Sequence, residues 1–148
     1  MATTTDCLSL QLVFALRQTF DTLLDYVVDH LTDRGYRGVS AADLRFLGEL
    51  EKRPEHAAEI ARRIGVSRQA VRKSVKDLSA LGLIELTRNP DQPNQKLIAF
   101  TERGRWLMDD AQEVLETLDV RLRRRLGAGR VEWLTEALAE TDHTTRTA

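Results

Sequence analysis

Apolar residues recur every three or four positions through the first part of the chain. They lie at Val13, Leu16, Phe20, Leu23, Val27 and Leu31. Because no glycine or proline interrupts residues 8–31, this period predicts one long amphipathic helix. The alternating spacing of three and four is close to a heptad seam, so we expect this helix to pack against another, from this chain or from a second copy.

Two shorter helices are predicted next. Ser40 and Asp43 have the spacing of a capping box, which predicts a helix that begins after Ser40 and runs through Leu50. Pro54 is expected in the first turn of the following helix, where its missing N–H does no harm. That helix is predicted over residues 55–64.

A tight turn, Gly65-Val66-Ser67, leads into a further helix that Ser67 caps and that runs to about Leu81. Two helices joined in this way are typical of a helix-turn-helix. The residues expected to face inward from the second helix are Ala70, Val71, Val75, Leu78 and Leu81. The same geometry turns a line of polar side chains outward, namely Arg68, Arg72 and Lys76, with Gln69 and Lys73 beside them.

After Gly82 the pattern changes to that of strands. Residues 83–87 and 96–101 predict two strands, and the polar segment 89–95, with its two prolines, predicts the turn between them. Two strands around a polar loop, directly after a helix-turn-helix, form a wing.

The remainder of the chain is predicted to be helical. Thr101 is expected to cap a long helix over residues 102–126, which the glycines of segment 127–129 end. A last helix is predicted over residues 130–140, and the tail from Thr141 is expected to fray. The predicted fold class is therefore mainly α with a small β wing.

Charge is distributed unevenly along the 148 residues. Residues 1–33 carry one base and five acids, net -4; residues 34–101 carry thirteen bases and eight acids, net +5; residues 102–148 carry eight bases and ten acids, net -2. A basic centre between acidic ends suits a polyanionic partner, and chance clustering on a solvated surface is the alternative.

Composition excludes several other classes of protein. With 42% hydrophobic and 30% charged residues, the chain can bury the core of one domain. Its single cysteine, Cys7, cannot form an internal disulfide, and its three histidines have no zinc-binding spacing, so we expect no metal and no cofactor. The short apolar runs and the absence of a signal-peptide pattern predict a cytoplasmic protein without membrane segments.

The outward face of the second helix of the helix-turn-helix carries the candidate DNA-binding side chains. Residues 56–76 hold six bases and one acid. Arginine can bind guanine in a bidentate way and glutamine can bind adenine in the major groove of double-stranded DNA. The candidate DNA contacts on this helix and the wing are Ser67, Arg68, Gln69, Arg72, Lys73, Lys76, Arg88 and Lys96.

At this point the chain resembles the MarR family of transcription regulators. The resemblance rests on the segment HAAEIARRIGVSRQAVRKSVKDLSALGLI, on the wing that ends in FTERG, and on the order of the flanking helices. It implies a homodimer with N-terminal (1–33) and C-terminal (102–148) dimerisation helices around a winged helix-turn-helix domain (34–101). It also implies a repressor that binds a pseudo-palindromic operator and is released by small phenolic or other ligands.

Two departures from the family pattern concern the wing and the first helix. Family wings usually carry an arginine near the tip, where this chain has Gln92 and Asn94, so minor-groove contact is left to other polar side chains. Peroxide-sensing relatives carry a cysteine at the position of Val13. Cys7 lies six residues earlier and has no neighbour that lowers its pKa, so we expect a bystander thiol.

Aromatic side chains are the candidates for lining a ligand pocket. The aromatic candidates are Tyr26, His30, Tyr36, Phe46 and Trp106, for which a plain core position is the alternative. For the whole protein, the alternatives are a winged helix that binds protein instead of DNA and a small-molecule enzyme. The chain shows no paired-carboxylate, nucleophile, phosphate-loop or metal motif that favours an enzyme.

Overall fold

The computed structural model of the chain describes residues 8–51, 54–89 and 96–146. Cys7, Gln92 and Asn94, which the sequence singles out, lie outside the described residues. The elements in chain order are α1 (Leu8–Asp33), α2 (Ala41–Leu50), α3 (Ala57–Ile64), α4 (Arg68–Ala80), β1 (Ile84–Arg88), β2 (Lys96–Phe100), α5 (Glu102–Leu126) and α6 (Ala128–Arg146). The predicted fold class, mainly α with a small β wing, is confirmed.

Helix α2 forms the centre of the core. It contacts α1, α3, α4 and β2, and its side chains Phe46, Leu47 and Leu50 are at most 2% exposed. Val27 and Leu31, near the end of α1, are buried as well. Each such side chain contributes about 1.5–3 kcal/mol on burial. Helix α2 and the second half of α1 therefore form the core on which the helix-turn-helix packs.

The predicted helix caps at α2 and α5 are confirmed. Ser40 Oγ accepts the Asp43 N–H at 3.2 Å, and the Asp43 carboxylate accepts the Ser40 N–H at 3.0 Å. Thr101 Oγ1 accepts the Gly104 N–H at 3.0 Å in the first turn of α5. Both helices begin where these local signals place them.

The predicted start of α3 is wrong. The helix begins at Ala57, and Pro54 and Glu55 precede it. The Glu55 N–H donates to Ile98 O at 3.3 Å, and Glu55 O accepts the Ile98 N–H at 3.0 Å. This pair of hydrogen bonds to β2 holds Glu55 in an extended conformation, so the helix can start only after it.

The predicted bounds of the last helix are wrong at both ends. Gly127, with φ of 89°, is sufficient to end α5, and α6 begins directly afterwards at Ala128. At its other end α6 continues to Arg146 instead of fraying from Thr141. The Thr141 hydroxyl donates to Ala137 O at 2.8 Å, which accommodates this polar residue inside the helix.

The chain divides into two compact units, Met1–Ala111 and Gln112–Ala148, with the boundary inside α5. The first contains α1 to α4, the wing and the start of α5. The second contains the rest of α5 and α6. The division of the chain into segments 1–33, 34–101 and 102–148 stays a prediction. In the part of the chain described above, no helix is long and apolar enough to cross a membrane.

Candidate nucleic-acid interface

Helix α4 is held in place by its cap and by two buried side chains. Gly65 ends α3 with φ of 68°, and the chain turns within two residues into Ser67, the N-cap of α4. Ser67 Oγ accepts the Ala70 N–H at 3.1 Å. Val71 and Leu78, seven positions apart, are at most 1% exposed, so the opposite side of the helix faces solvent.

Four side chains on that side are available to a ligand. Arg68, Gln69, Arg72 and Lys76 are exposed, and within the described residues none of them has a side-chain partner. We call these four residues the α4 face. Arg68 lies in the first helical turn, where the positive end of the helix dipole disfavours a cation. A bound anion relieves that repulsion, so the surface favours a polyanion.

Lys73 lies beside the α4 face but is paired. Its Nζ lies 2.6 Å from Asp77 Oδ2, one turn further along the helix. The hydrogen bond and the charge of Asp77 raise the pKa of Lys73. Lys73 is therefore a charged side chain that is already neutralised within its own helix.

The prediction that Ala70 faces inward from α4 is wrong. Val71 and Leu78 are buried, and Val75 and Leu81 are half-buried, but Ala70 is exposed. Adjacent helical positions are about 100° apart. Position 70 is therefore turned away from the buried line that runs through Val71.

The wing presents two further cations. β1 and β2 pair antiparallel, and the described ladder ends at the pair Arg88↔Lys96, next to the wing tip. Both side chains are exposed. Like charges in directly opposed positions repel, so an anion near both of them is favourable.

The tip-side end of the wing is tied to the helix-turn-helix by contacts that sequence reasoning missed. Besides the Glu55 bridge to β2, His56 contacts the start of β2 and the residue that follows β1. Its Nδ1 lies 3.0 Å from Lys96 O, and its Nε2 lies 3.3 Å from Asn89 Nδ2. The one available sequence signal was a histidine at the N-cap of α3, where serine, threonine, aspartate or asparagine is usual.

The base of the wing is fixed to α5. The Thr101 hydroxyl donates to Gly82 O at 2.6 Å, and the Thr101 N–H donates to Leu83 O at 3.1 Å. A Cβ added to Gly104 lies only 1.9 Å from Leu83 O. The predicted junction at residues 100–104 is therefore a close packing of backbone on backbone.

The five aromatic ligand candidates lie in three places. Phe46 is a core residue, 1% exposed, beside a cavity of about 50 Å³. The rings of Tyr26 and His30 stack on α1 with centroids 4.1 Å apart. Tyr36 and Trp106 line one open cleft of about 370 Å³, together with Arg34, Gly35 and Arg103.

The cleft combines cations with aromatic rings. The Tyr36 hydroxyl donates to Asp110 Oδ2 at 2.7 Å, and Arg34 Nη1 donates to the same carboxylate. Arg103 lies over the Tyr36 ring, 5.7 Å from its centroid, and Trp106 is 56% exposed. Burial and the hydrogen bond to Asp110 raise the pKa of Tyr36 to about 12. Tyr36 is therefore a hydrogen-bond donor at neutral pH.

Within residues 8–51, 54–89 and 96–146, no cluster of three or more histidine, cysteine, aspartate or glutamate side chains is placed to hold a metal ion.

Comparison with known sequences identifies the central segment. Residues 37–92, from the loop before α2 into the wing, match the sequence model of the MarR family. Uncharacterized proteins of Mycobacterium tuberculosis and Mycobacterium bovis are each 36% identical over 76 residues, which cover 51% of this chain and 53% of each relative. The chain thus spans about half the length of the curated relatives it matches.

Solved structures of transcription regulators share the fold along nearly the whole chain. The transcriptional repressor CouR, bound to a 23-mer DNA duplex, is 24% identical with a TM-score of 0.75, covering 96% of each chain. A MarR-family regulator from Rhodococcus sp. RHA1 is 24% identical with a TM-score of 0.71, covering 90% of this chain and 93% of that one. A mutant of MarR from E. coli, complexed with operator DNA, is 20% identical with a TM-score of 0.69, covering 88% and 91%. The predicted resemblance is confirmed: residues 37–92 of this chain match the MarR family, and the chain as a whole has the fold of these regulators.

Proposed function

We propose that this protein is a dimeric, sequence-specific transcription regulator of the cytoplasm that binds the two halves of a pseudo-palindromic DNA site. It acts as a repressor that a small aromatic effector releases. The observation that carries DNA binding is the exposed α4 face, whose cations lack partners in the described residues. The DNA complexes of CouR and of E. coli MarR support this function, because both proteins share the fold.

The position of each side chain on α4 suggests its role. The first turn of a recognition helix lies deepest in the major groove. Arg68, Gln69 and Arg72 then contact base edges, and Lys76, one turn beyond Arg72, contacts a phosphate. On the wing, Arg88 and Lys96 contact the backbone or the minor groove. Ser67 at the start of α4 and Lys73 beside it are the remaining proposed contacts.

Binding to random DNA duplex at several salt concentrations tests the function. Neutralising phosphates releases counterions, so the affinity must fall steeply as salt rises. Arg17→Gln is the matched control, since it removes an exposed cation of α1 outside the winged domain and should keep the same slope. Weak binding that does not depend on salt would instead favour the alternative, a winged helix that binds protein.

Dimerisation is supported by the apolar side chains that the two compact units leave exposed. On α1 of the first unit they are Leu8, Leu12, Val13, Phe14 and Phe20, and in the second unit Leu115, Val120, Leu126, Trp133 and Leu134. Contiguous exposed apolar surface marks interaction sites, and the heptad-like spacing on α1 suits a second helix. Light scattering should give twice the chain mass of 16.8 kDa. A stable monomer would exclude the palindromic mode of recognition.

The effector site we propose is the cleft of Tyr36 and Trp106. Its aromatic walls and its two guanidinium groups suit a small aromatic carboxylate. The Arg34 guanidinium is engaged by Asp110, so Arg103, whose guanidinium lies over the Tyr36 ring, is the group for the carboxylate.

Benzoate is the probe and phenol the uncharged comparison. Benzoate should quench the exposed Trp106 and lower the affinity for DNA, while phenol should do both less. Trp106→Phe keeps Trp133 as a built-in reference, and in this variant the quenching should disappear. Unchanged quenching in Trp106→Phe would move the effector to another site without affecting the proposal for DNA binding.

A further inference from the structure

The side chain of His56 occupies a position that capping does not explain. His56 is the N-cap residue of α3, but its ring makes no hydrogen bond to the helix it begins. The ring is instead directed to the wing, where it contacts one group on each side of the strand pair. The partners of this side chain therefore lie outside α3.

The two contacts define the protonation of the ring. Lys96 O can only accept a hydrogen bond, so His56 Nδ1 carries the proton and donates at 3.0 Å. Asn89 Nδ2 donates to Nε2 at 3.3 Å, which requires Nε2 to be unprotonated. Asn89 is 8% exposed, so this hydrogen bond is partly shielded from solvent. The ring thus bridges Asn89, which follows β1, and Lys96 at the start of β2.

The backbone beneath the ring is fixed by a second set of contacts. The His56 N–H donates to Glu55 Oε1 at 3.0 Å, and Glu55 pairs with Ile98 of β2 through two backbone hydrogen bonds. Glu55 Oε2 lies 3.6 Å from Arg63 Nη2, and Arg63 Nε lies 3.3 Å from Glu49 Oε2 on α2. These contacts connect the position of His56 to α2, to α3 and to β2 together.

We propose that His56 is a positioning residue that places the wing cations Arg88 and Lys96 on the DNA. Asn89 directly follows Arg88, and the carbonyl that accepts from His56 Nδ1 belongs to Lys96 itself. The ring therefore fixes both cations relative to α3, and through α3 relative to the α4 face. This inference rests on the proposed function, since it concerns how the wing reaches DNA.

Replacing the ring should weaken DNA binding without unfolding the protein. A net hydrogen bond changes an equilibrium by roughly two- to tenfold, so His56→Ala should bind the same duplex about fivefold to tenfold more weakly. The matched control is Thr87→Val, which removes a hydrogen bond inside the wing, from Thr87 Oγ1 to Leu97 O at 3.4 Å, and leaves the contacts to α3. It should bind within about twofold of the parent.

A double-mutant cycle distinguishes positioning of the wing cations from an effect of His56 that is independent of them. In the parent protein, removing both wing cations (Arg88→Ala with Lys96→Ala) should weaken DNA binding by at least about tenfold. In the His56→Ala background the same removal should cost only about twofold, because the cations are no longer held on the DNA. Equal losses in the two backgrounds overturn the proposal, since His56 then acts independently of these cations. Unchanged binding by His56→Ala also overturns it.

A second variant keeps the test valid if His56→Ala does not fold. His56→Asn places an amide N–H near the position of Nδ1, so it keeps the hydrogen bond to Lys96 O and loses the one to Asn89. It should bind with an affinity between those of the parent and His56→Ala. Affinity equal to that of the parent would show that the bridge to Asn89 has no positioning role and would overturn the proposal.

Measurements on the free protein distinguish failure of this inference from failure of the proposed function. Long-range ¹H–¹⁵N spectra should show the Nδ1–H form of His56, and hydrogen exchange in segments 84–89 and 96–100 should accelerate in the His56 variants. If the parent does not bind DNA but these two results hold, the proposed function fails and the bridge stands. If the parent binds DNA and His56 is protonated on Nε2, the positioning role fails alone.

Discussion

Helix α4 and the wing are the two surfaces proposed to contact DNA, and they are held in place in different ways. The α4 face is positioned by contacts that are short in sequence: the turn at Gly65, the Ser67 cap three residues before Ala70, and the buried side chain of Val71. The wing is positioned from a distance. Its tip-side end is held by His56, 40 residues before Lys96.

The difference determines how each surface responds to change. Helix α4 is positioned by nearby residues, so it keeps its exposed side chains in place as long as its cap and its buried side chains are present. The wing has only two strands, and two strands alone are marginally stable in water. It therefore depends on its contacts to α3 and α5, and substitutions at those contacts should move it while α4 stays in place.

The largest effect is expected at the base of the wing. Gly104→Ala should lower the free energy of unfolding by at least about 3 kcal/mol, the upper end for overpacking, because the added Cβ lies 1.9 Å from the carbonyl oxygen of Leu83. The comparison is Gly48→Ala inside α2, where no atom lies within 4 Å of the new Cβ. That variant should gain about 0.5–1 kcal/mol from helix propensity. Urea unfolding measures both, and a stable Gly104→Ala protein would show that the wing base can move.

The second effect concerns the α4 face. The test uses an operator selected from random DNA by binding to the parent protein. Arg72→Ala should weaken binding to this operator by about 1–3 kcal/mol and relax the base preference at one position of each half-site, as expected for a lost bidentate base contact. Lys76→Ala should instead weaken binding to operator and scrambled duplex alike. If Lys76→Ala changes the sequence preference and Arg72→Ala does not, the helix lies in the groove in another orientation.

The same contrast explains what the sequence could predict. The turn at Gly65, the Ser67 cap and the exposed cations follow from local patterns, and their placement agrees with prediction. The bridge from Glu55 to β2 and the contacts of His56 to Lys96 and Asn89 join residues more than thirty positions apart, and no local pattern contains them. The five aromatic candidates lie in three separate places, which the sequence did not show for a related reason. Residue type does not reveal that Phe46 is buried in the core while Tyr36 borders an open cleft.

A smaller effect tests how local the determinants of α4 are. Ser67→Ala should cost about 1 kcal/mol of stability, since the N–H of Ala70 loses its acceptor. Ser79→Ala is the control, because that exposed serine near the end of α4 caps nothing and alanine gains a few tenths of a kcal/mol there. Hydrogen exchange should rise in α4 and not in the wing. Faster exchange in the wing of Ser67→Ala would show that the two surfaces are coupled.

The smallest effect is expected from Lys73, a proposed α4 contact whose charge is already paired with Asp77. Its hydrogen bond to Asp77 is exposed and spans one helical turn, so solvent screening leaves it little contribution to stability. Lys73→Ala alone would leave the Asp77 carboxylate unbalanced near DNA, so the informative variant is Lys73→Ala with Asp77→Ala, which keeps the net charge. It should bind DNA within about twofold of the parent at an unchanged salt slope, whereas Lys76→Ala makes the slope shallower by about one phosphate for each subunit. If the double variant reduces the slope as Lys76→Ala does, Lys73 leaves Asp77 on binding and contacts a phosphate directly.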